Sequence, residues 1–206
     1  MLKGTASVAD TIRRLSALAD LAAALPAAAG QGIGLQLQQS LVMLNLRGTA
    51  DSTLCNAVHS ACNCELPTAP NSSSMCSYGS ILKLGPNEWL LVSSARVYWS
   101  ETMAIPGATL TDVSHARIAV QIDGEKSRDM LAKGCAIDLH PRQFPAGTCV
   151  QTSIAKIGVI LHRPQNDDSF MLYAARSYAG SFWHWLTSAA NEYGYHVVTP
   201  QTGSDK

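Results

Sequence analysis

One order of local signals is written twice along this chain: strand, glycine turn, helix, hairpin. In the first half, residues 35–46 carry an alternating segment, L-Q-L-Q, and then L-V-M-L-N-L. Alternation at a period near two fits a half-buried strand. Gly48 ends this region, and Asp51 or Ser52 caps a helix over 53–63 with Leu54, Val58 and Ala61 on one face. Residues 80–84 and 88–93 read as two strands joined by the turn Gly85-Pro86-Asn87. The second half repeats the pattern. Residues 116–122 read as a strand, and Asp123-Gly124 breaks it. Residues 125–133 form the next helix, with Gly134 as a left-handed cap. Two strands over 148–154 and 157–162 follow, then one more over 170–174, then a closing helix over 177–193 capped by Ser177.

This order predicts an α+β fold of two similar lobes of strand-helix-hairpin type, an internal duplication. The expected boundaries are an N-terminal helix and hinge over 1–34, a first lobe over 35–108, a second over 109–196 and a flexible tail over 197–206. The N-terminal helix covers 8–24 and stops near Pro26, with an apolar face free to dock; residues 30–34 read as a hinge. An export signal is disfavoured there, because Asp10 and Asp20 interrupt its basic and apolar regions. No apolar run approaches the ~20 residues of a membrane span. Residues 67–74 read as a polar loop, and 95–105 as a short, ambiguous helix.

Charge narrows the class of partner. Of 206 residues 47% are hydrophobic, enough for a sizeable core, and only 15% are charged, with 15 basic and 15 acidic side chains. A net charge of zero argues against nucleic acid, which needs clustered Lys and Arg. A charge-poor surface suits burial inside a complex. The six cysteines, Cys55, Cys62, Cys64, Cys76, Cys135 and Cys149, are too sparse and irregular for a secreted disulfide scaffold. They read as thiols of a cytoplasmic protein.

Four constellations hold chemistry-bearing residue types. Cys55, His59 and Cys62 fall on one side of the first helix, as soft-metal ligands would. The spacing lacks a C-x2-C knuckle, so packing of small buried thiols is the simpler reading. Asp112, Ser114 and His115 have the composition of a hydrolytic triad, but on a strand His115 faces away from the other two, leaving turn and strand-edge hydrogen bonding. Asp138, His140 and Arg142 alternate along a segment that Pro141 biases toward extended backbone. They either pin the loop to its own lobe, contact a partner or, least of all, act in catalysis. Pairing Cys135 with His140 as a nucleophile has no helix N-terminus to lower the thiol pKa. In the last helix Tyr178, Phe182, Trp185 or Leu186, and Ala189 make the inward stripe. Trp183 lies off it with His184 and is expected to anchor an interface, with a partly buried place at the core's edge as the alternative. There is no G-x-G-x-x-G after a strand and no P-loop.

Several stretches together carry a resemblance. They are Leu44-Asn45-Leu46-Arg47-Gly48, Leu66-Pro67-Thr68 with Pro70-Asn71, and Leu84-Gly85-Pro86-Asn87-Glu88-Trp89-Leu90-Leu91. Then come Asp112-Val113-Ser114-His115, Leu131-Ala132-Lys133-Gly134-Cys135, Asp138-Leu139-His140-Pro141-Arg142 and Phe144-Pro145-Ala146-Gly147. Ser177-Tyr178-Ala179 and Trp183-His184-Trp185-Leu186 complete the series. In this order, over about 41–194, they resemble the gamma subunit of heterotetrameric sarcosine oxidase. Cys62 and Cys64 replace expected aliphatic residues, and 95–105 is shorter than the family's helix.

The resemblance implies a fold similar to the aminomethyltransferase, folate-binding type. It implies a complex that demethylates sarcosine oxidatively to glycine, with hydrogen peroxide and methylene-tetrahydrofolate as products. It implies alpha, beta and delta partners. FAD, FMN, NAD, tetrahydrofolate and zinc are held by those subunits, and this chain carries neither cofactor nor catalytic residue. Asp138, His140, Arg142 and Trp183 are the interface residues in that reading. The alternatives are a subunit of a related N-methyl amino acid or amine dehydrogenase, a free-standing folate-dependent aminomethyl transferase, and a zinc module on Cys55, His59 and Cys62.

Overall fold

A computed structural model describes residues 17–18, 32–39, 41–77, 79–94, 105–165 and 169–198. The helix expected over 8–24 falls outside the described residues except for Ala17 and Leu18, as do the start of the 30–34 hinge, the 95–105 segment before Ile105 and the chain beyond 198.

The first repeat is β2 (Val42–Gly48), α1 (Ser52–Cys62), β3 (Ser73–Cys76), β4 (Gly79–Gly85) and β5 (Glu88–Ser93). The second is β7 (Arg117–Asp123), α2 (Ser127–Ala132), β8 (Thr148–Ile154), β9 (Ile157–Arg163) and β10 (Phe170–Ala175). The remaining elements are β1 (Ile33–Gln38), β6 (Ala108–Asp112), α3 (Ala179–Ala190) and β11 (Tyr195–Val198). One sheet has the order β3-β4-β5-β2-β6 and the other β11-β1-β7-β10-β9-β8. In both, a strand is followed by a helix and then by a three-stranded meander whose last strand returns beside the first. In both, one further strand, β6 or β1, pairs antiparallel on the far side of that first strand. The duplication expected from sequence is thus visible in the strand order.

The sheets stack face to face, with helices outside. Alternation along each strand makes this possible, because neighbouring side chains point to opposite faces. In β2, Leu44 and Leu46 join α1's Leu54 and Val58 in one core, while Met43 points into the layer between the sheets. In β9, Val159 and Leu161 meet Met130 of α2 and Phe182 of α3, and Ile160 points into the middle layer. That layer holds Met43, Leu82, Leu90, Val92, Ala119, Cys149, Ile160 and Tyr173. Burying one such large apolar side chain is worth roughly 2 kcal/mol. The helices are ordinary amphipathic elements. Asp51 caps α1, its side chain accepting from Leu54 N–H at 3.0 Å, and left-handed Asn63 ends it.

Several expectations need correction. Residues 35–46 belong to two strands in different sheets, with Gln39, Ser40 and Leu41 between them in sequence. Sheet membership therefore cuts across the 35–108 and 109–196 boundaries: β1 joins the second repeat's sheet, and Val197 and Val198, assigned to the tail, lie in β11. The first hairpin is a meander, because Ser73–Cys76, whose first two residues read as the end of a polar loop, is a strand paired to β4. Gly134 is not left-handed. A Cβ there would overlap the Trp185 ring, so glycine serves close approach. The last helix also starts later than expected: a single 3-10 turn over Arg176–Tyr178 precedes it, and no side chain caps either.

The sheets also share hydrogen bonds at one corner. Edge strands β3 and β8 meet through the antiparallel bridge Ser72–Thr148. Ser73 N–H donates to Gly147 O at 2.8 Å, and Cys149 N–H to Asn71 O at 3.0 Å. Ser73 Oγ also donates to Gly147 O at 2.9 Å, which leaves it to accept from His162 Nε2 at 3.2 Å. His162 Nδ1 is buried without a partner. Protonating it would place a charge in a site 2% exposed, and burial pushes its pKa down to about 4.

Two predictions follow from the packing. Unfolded His162 titrates near pH 6.5 and folded His162 near 4, so the unfolded state takes the proton first as pH falls. Stability is full above about pH 6.5 and declines toward pH 4 by up to roughly 3 kcal/mol. Thermal melts from pH 7 to 4 should show this decline, flattened in His162→Gln; an equal slope in both proteins would exclude His162 as its source. Gly134→Ala should cost about 1–3 kcal/mol in denaturant unfolding by displacing the Trp185 ring.

Candidate functional site

The loop from Asp138 to Gly147 combines a fixed backbone with outward polar side chains. It leaves α2 through Cys135, which bridges to Ile154. Two buried side chains peg it to the core, Leu139 and Phe144. Phe144 stacks on Phe170 with ring centroids 6.3 Å apart. Two arginines hold its carbonyls. Arg128 donates to Leu139 O while its guanidinium lies 5.0 Å from the Phe170 ring centroid, and Arg163 donates to Phe144 O at 3.1 Å.

The outer side chains are held locally. Asp138 Oδ1 accepts from His140 N–H at 2.8 Å, and His140 Nδ1 accepts from Arg142 N–H at 3.3 Å. With Nδ1 as acceptor, Nε2 carries the neutral ring's proton and is the donor left for other contacts. Asp138, His140 and Arg142 are all exposed. They do not share one extended strip. His140 O accepts from both Gln143 N–H and Phe144 N–H, so the chain turns at 141–143 and Arg142 sits on that turn.

Trp183 requires a correction. It is 1% exposed, inside the core under the sheet with Phe182 and Leu186, and offers no surface to a partner. The buried arc of α3 spans Ala179, Phe182, Trp183, Leu186, Ala189 and Ala190, wider than the stripe expected. The outward aromatic at that end of the molecule is Tyr178, 53% exposed and assigned inward by the periodicity.

The other reactive types have structural partners. Ser114 Oγ accepts from Met43 N–H at 2.9 Å, and Asp112 Oδ1 accepts from Ser114 N–H at 2.8 Å. This is the strand-edge role expected for them. Burial pushes the Cys135 thiol up, opposite to what a nucleophile needs. His59 pairs with Glu65 at 3.3 Å on the surface while Cys62 is buried. Among the described residues no three His, Cys, Asp or Glu side chains are arranged to hold a metal ion.

One polar feature was not singled out from sequence. Arg47, Gly48, Thr49, Pro86, Asn87 and Glu88 line an open notch of about 380 Å³ at the β4–β5 turn. The Glu88 carboxyl is held below the usual range, first by the Asn45 amide at 2.8 Å and further by Arg47 at 2.9 Å. Its only sequence signal was the turn Gly85-Pro86-Asn87. Among the described residues no helix is long and apolar enough to cross a membrane.

Comparison with known proteins places this geometry in context. Residues 46–192 match the model of the family described as sarcosine oxidase, gamma subunit family. The sarcosine oxidase subunit gamma of Corynebacterium sp. (strain U-96) is 32% identical over 193 residues, 89% of this chain and 93% of that protein. A chain of the solved heterotetrameric sarcosine oxidase from Corynebacterium sp. U-96, in complex with pyrrole 2-carboxylate, superposes with a TM-score of 0.79 at 31% identity. That match covers 87% of this chain and 96% of that one. The glycine cleavage system aminomethyltransferase T from Bartonella henselae shares the fold, with a TM-score of 0.62 at 11% identity over 81% of this chain and 48% of its own.

Arg128→Ala removes a charged hydrogen bond and a ring contact beneath the loop. It should cost about 2 kcal/mol and speed amide exchange at 138–144 while β7, β9 and β10 stay protected. Uniformly faster exchange would show that Arg128 supports the whole core and not this loop.

Proposed function

Because the chain belongs to the sarcosine oxidase gamma subunit family, we propose that it is a non-catalytic accessory subunit of a heterotetrameric sarcosine oxidase. In this reading it assembles with alpha, beta and delta subunits in the cytoplasm. The complex demethylates sarcosine to glycine, reduces oxygen to hydrogen peroxide and forms methylene-tetrahydrofolate. FAD, FMN, NAD, tetrahydrofolate and zinc sit on the other subunits. The observation that carries the reading is similarity to a gamma subunit along nearly the whole of both chains. Site chemistry agrees with an accessory role. The serine hydroxyl at 114 is engaged in holding β2, and the thiol at 135 is kept protonated by burial.

The loop is the proposed contact. Its backbone is fixed before any partner arrives, so binding orders little chain and costs little entropy. His140 and Arg142 present donors on a surface otherwise poor in charge. Such groups recognise carbonyl or carboxylate acceptors on a partner.

The tagged chain, recovered from its host, should bring down flavin-bearing partners with sarcosine-dependent peroxide formation. A colourless chain without partners overturns the proposal. The double variant His140→Ala, Arg142→Ala should keep its melting temperature and bind the other subunits about tenfold more weakly, about 1.4 kcal/mol. Unchanged affinity would move the contact to another surface while leaving the subunit assignment intact.

A further inference from the structure

Three thiols lie together in the first repeat. Cys62 ends α1, Cys64 follows left-handed Asn63, and Cys76 ends β3. Ser77 N–H donates to Cys62 O at 3.3 Å, which sets the end of β3 beside the end of α1. The Cys64 thiol hydrogen-bonds both Cys62 and Cys76. All three pack on the core shared with Leu54 and Val58. Cys62 and Cys64 are buried, at 0% and 8% exposure, and Cys76 is half-buried at the solvent end of the row.

We propose that Cys64 and Cys76 form a reversible disulfide, with Cys76 as the point of entry and a small-molecule disulfide such as oxidised glutathione as the oxidant. The backbone selects this pair. Cys62 and Cys64 are separated by Asn63 alone, at φ 53°, and a bond between them would close a very small ring across a fixed left-handed residue. Cys64 and Cys76 belong to separate segments held side by side by the Ser77–Cys62 bond, and their thiols already interact.

The exchange proceeds in two steps. The Cys76 thiolate attacks one sulfur of oxidised glutathione; a Cys76–glutathione disulfide forms and one glutathione thiol leaves. Cys64 then attacks the Cys76 sulfur, and the second glutathione leaves as its thiol. Two protein thiols are oxidised, one glutathione disulfide is reduced, and both thiol protons end on the released glutathione. The hydrogen bond to Cys62, followed by burial, pushes the Cys64 thiol up to about 11, so the second step speeds up with pH. The bond would tie the exit of α1 to β3, the strand that carries Ser73 to the corner between the sheets.

The full chain is incubated with oxidised glutathione at pH 8, alkylated and mapped by peptide mass spectrometry. The expected product is one peptide pair cross-linked through Cys64 and Cys76, a melting temperature higher by about 5 °C, and reversal of both by dithiothreitol. Cys76→Ala should keep its circular dichroism and lose the cross-link, and Cys55→Ala should retain it. Any of four results overturns the proposal: a bridge to Cys62, a glutathione adduct at Cys76 that never resolves, free thiols at 64 and 76 while the urea-unfolded chain cross-links, or one tightly held zinc per chain that blocks the reaction.

Discussion

The corner where β3 meets β8 is the contact on which the arrangement of the two sheets depends. Stacked sheets joined by apolar packing alone are free to slide, since apolar attraction has no direction. Backbone hydrogen bonds fix a register. Here Ser73 N–H reaches Gly147 O and Cys149 N–H reaches Asn71 O. The two strands hold equivalent places, each opening the meander of its own repeat. Their antiparallel meeting at Ser72 and Thr148 is the contact expected when two copies of one motif are related by a local two-fold axis. It also solves an edge problem, because each strand covers part of the unpaired backbone of the other.

Much of this was legible in the sequence, for a physical reason. Strands such as Glu88–Ser93 and Ile157–Arg163 are buried on both faces, so they read as short continuous apolar runs bounded by turn residues. Asp51 declared the start of α1 through its own side chain. Non-local pairing was less visible. Ser73–Cys76 opens with two serines and becomes a strand because β4 and the Gly147 carbonyl supply its hydrogen bonds. Nothing within residues 35–46 reveals that two neighbouring strands enter different sheets. Gly134 was read as a helix cap because glycine has two common uses, and the neighbour that decides between them, Trp185, is distant in sequence.

The loop signature was legible in part. Its polar, proline-containing composition set it apart from a core element, and the structure shows the core reaching into it through Leu139 and Phe144. Aromatic exposure was the weak point. The helix buries a wide arc and Tyr178 lies in the 3-10 turn before it, so a narrow periodic stripe put Tyr178 inside and Trp183 outside, the reverse of their places. The reactive types at 112, 114 and 135 are absorbed by hydrogen bonds and burial. A chain can carry the vocabulary of catalysis and use it to hold strands together.

The placement of β1 bears on how the chain is made. β1 pairs antiparallel with β7 and parallel with β11, although β2, β3, β4, β5 and β6 all intervene and belong to the other sheet. During vectorial synthesis every strand of the first repeat's sheet is made before β7. Ile33–Gln38, apolar on one face, must wait unpaired beside a folded neighbour. Contacts so distant in sequence form slowly. An apolar strand held waiting is also a site for wrong pairing. Nascent chains paused after β6 should therefore be the species that most need a chaperone, and the ones in which this strand is most open to capture by another polypeptide.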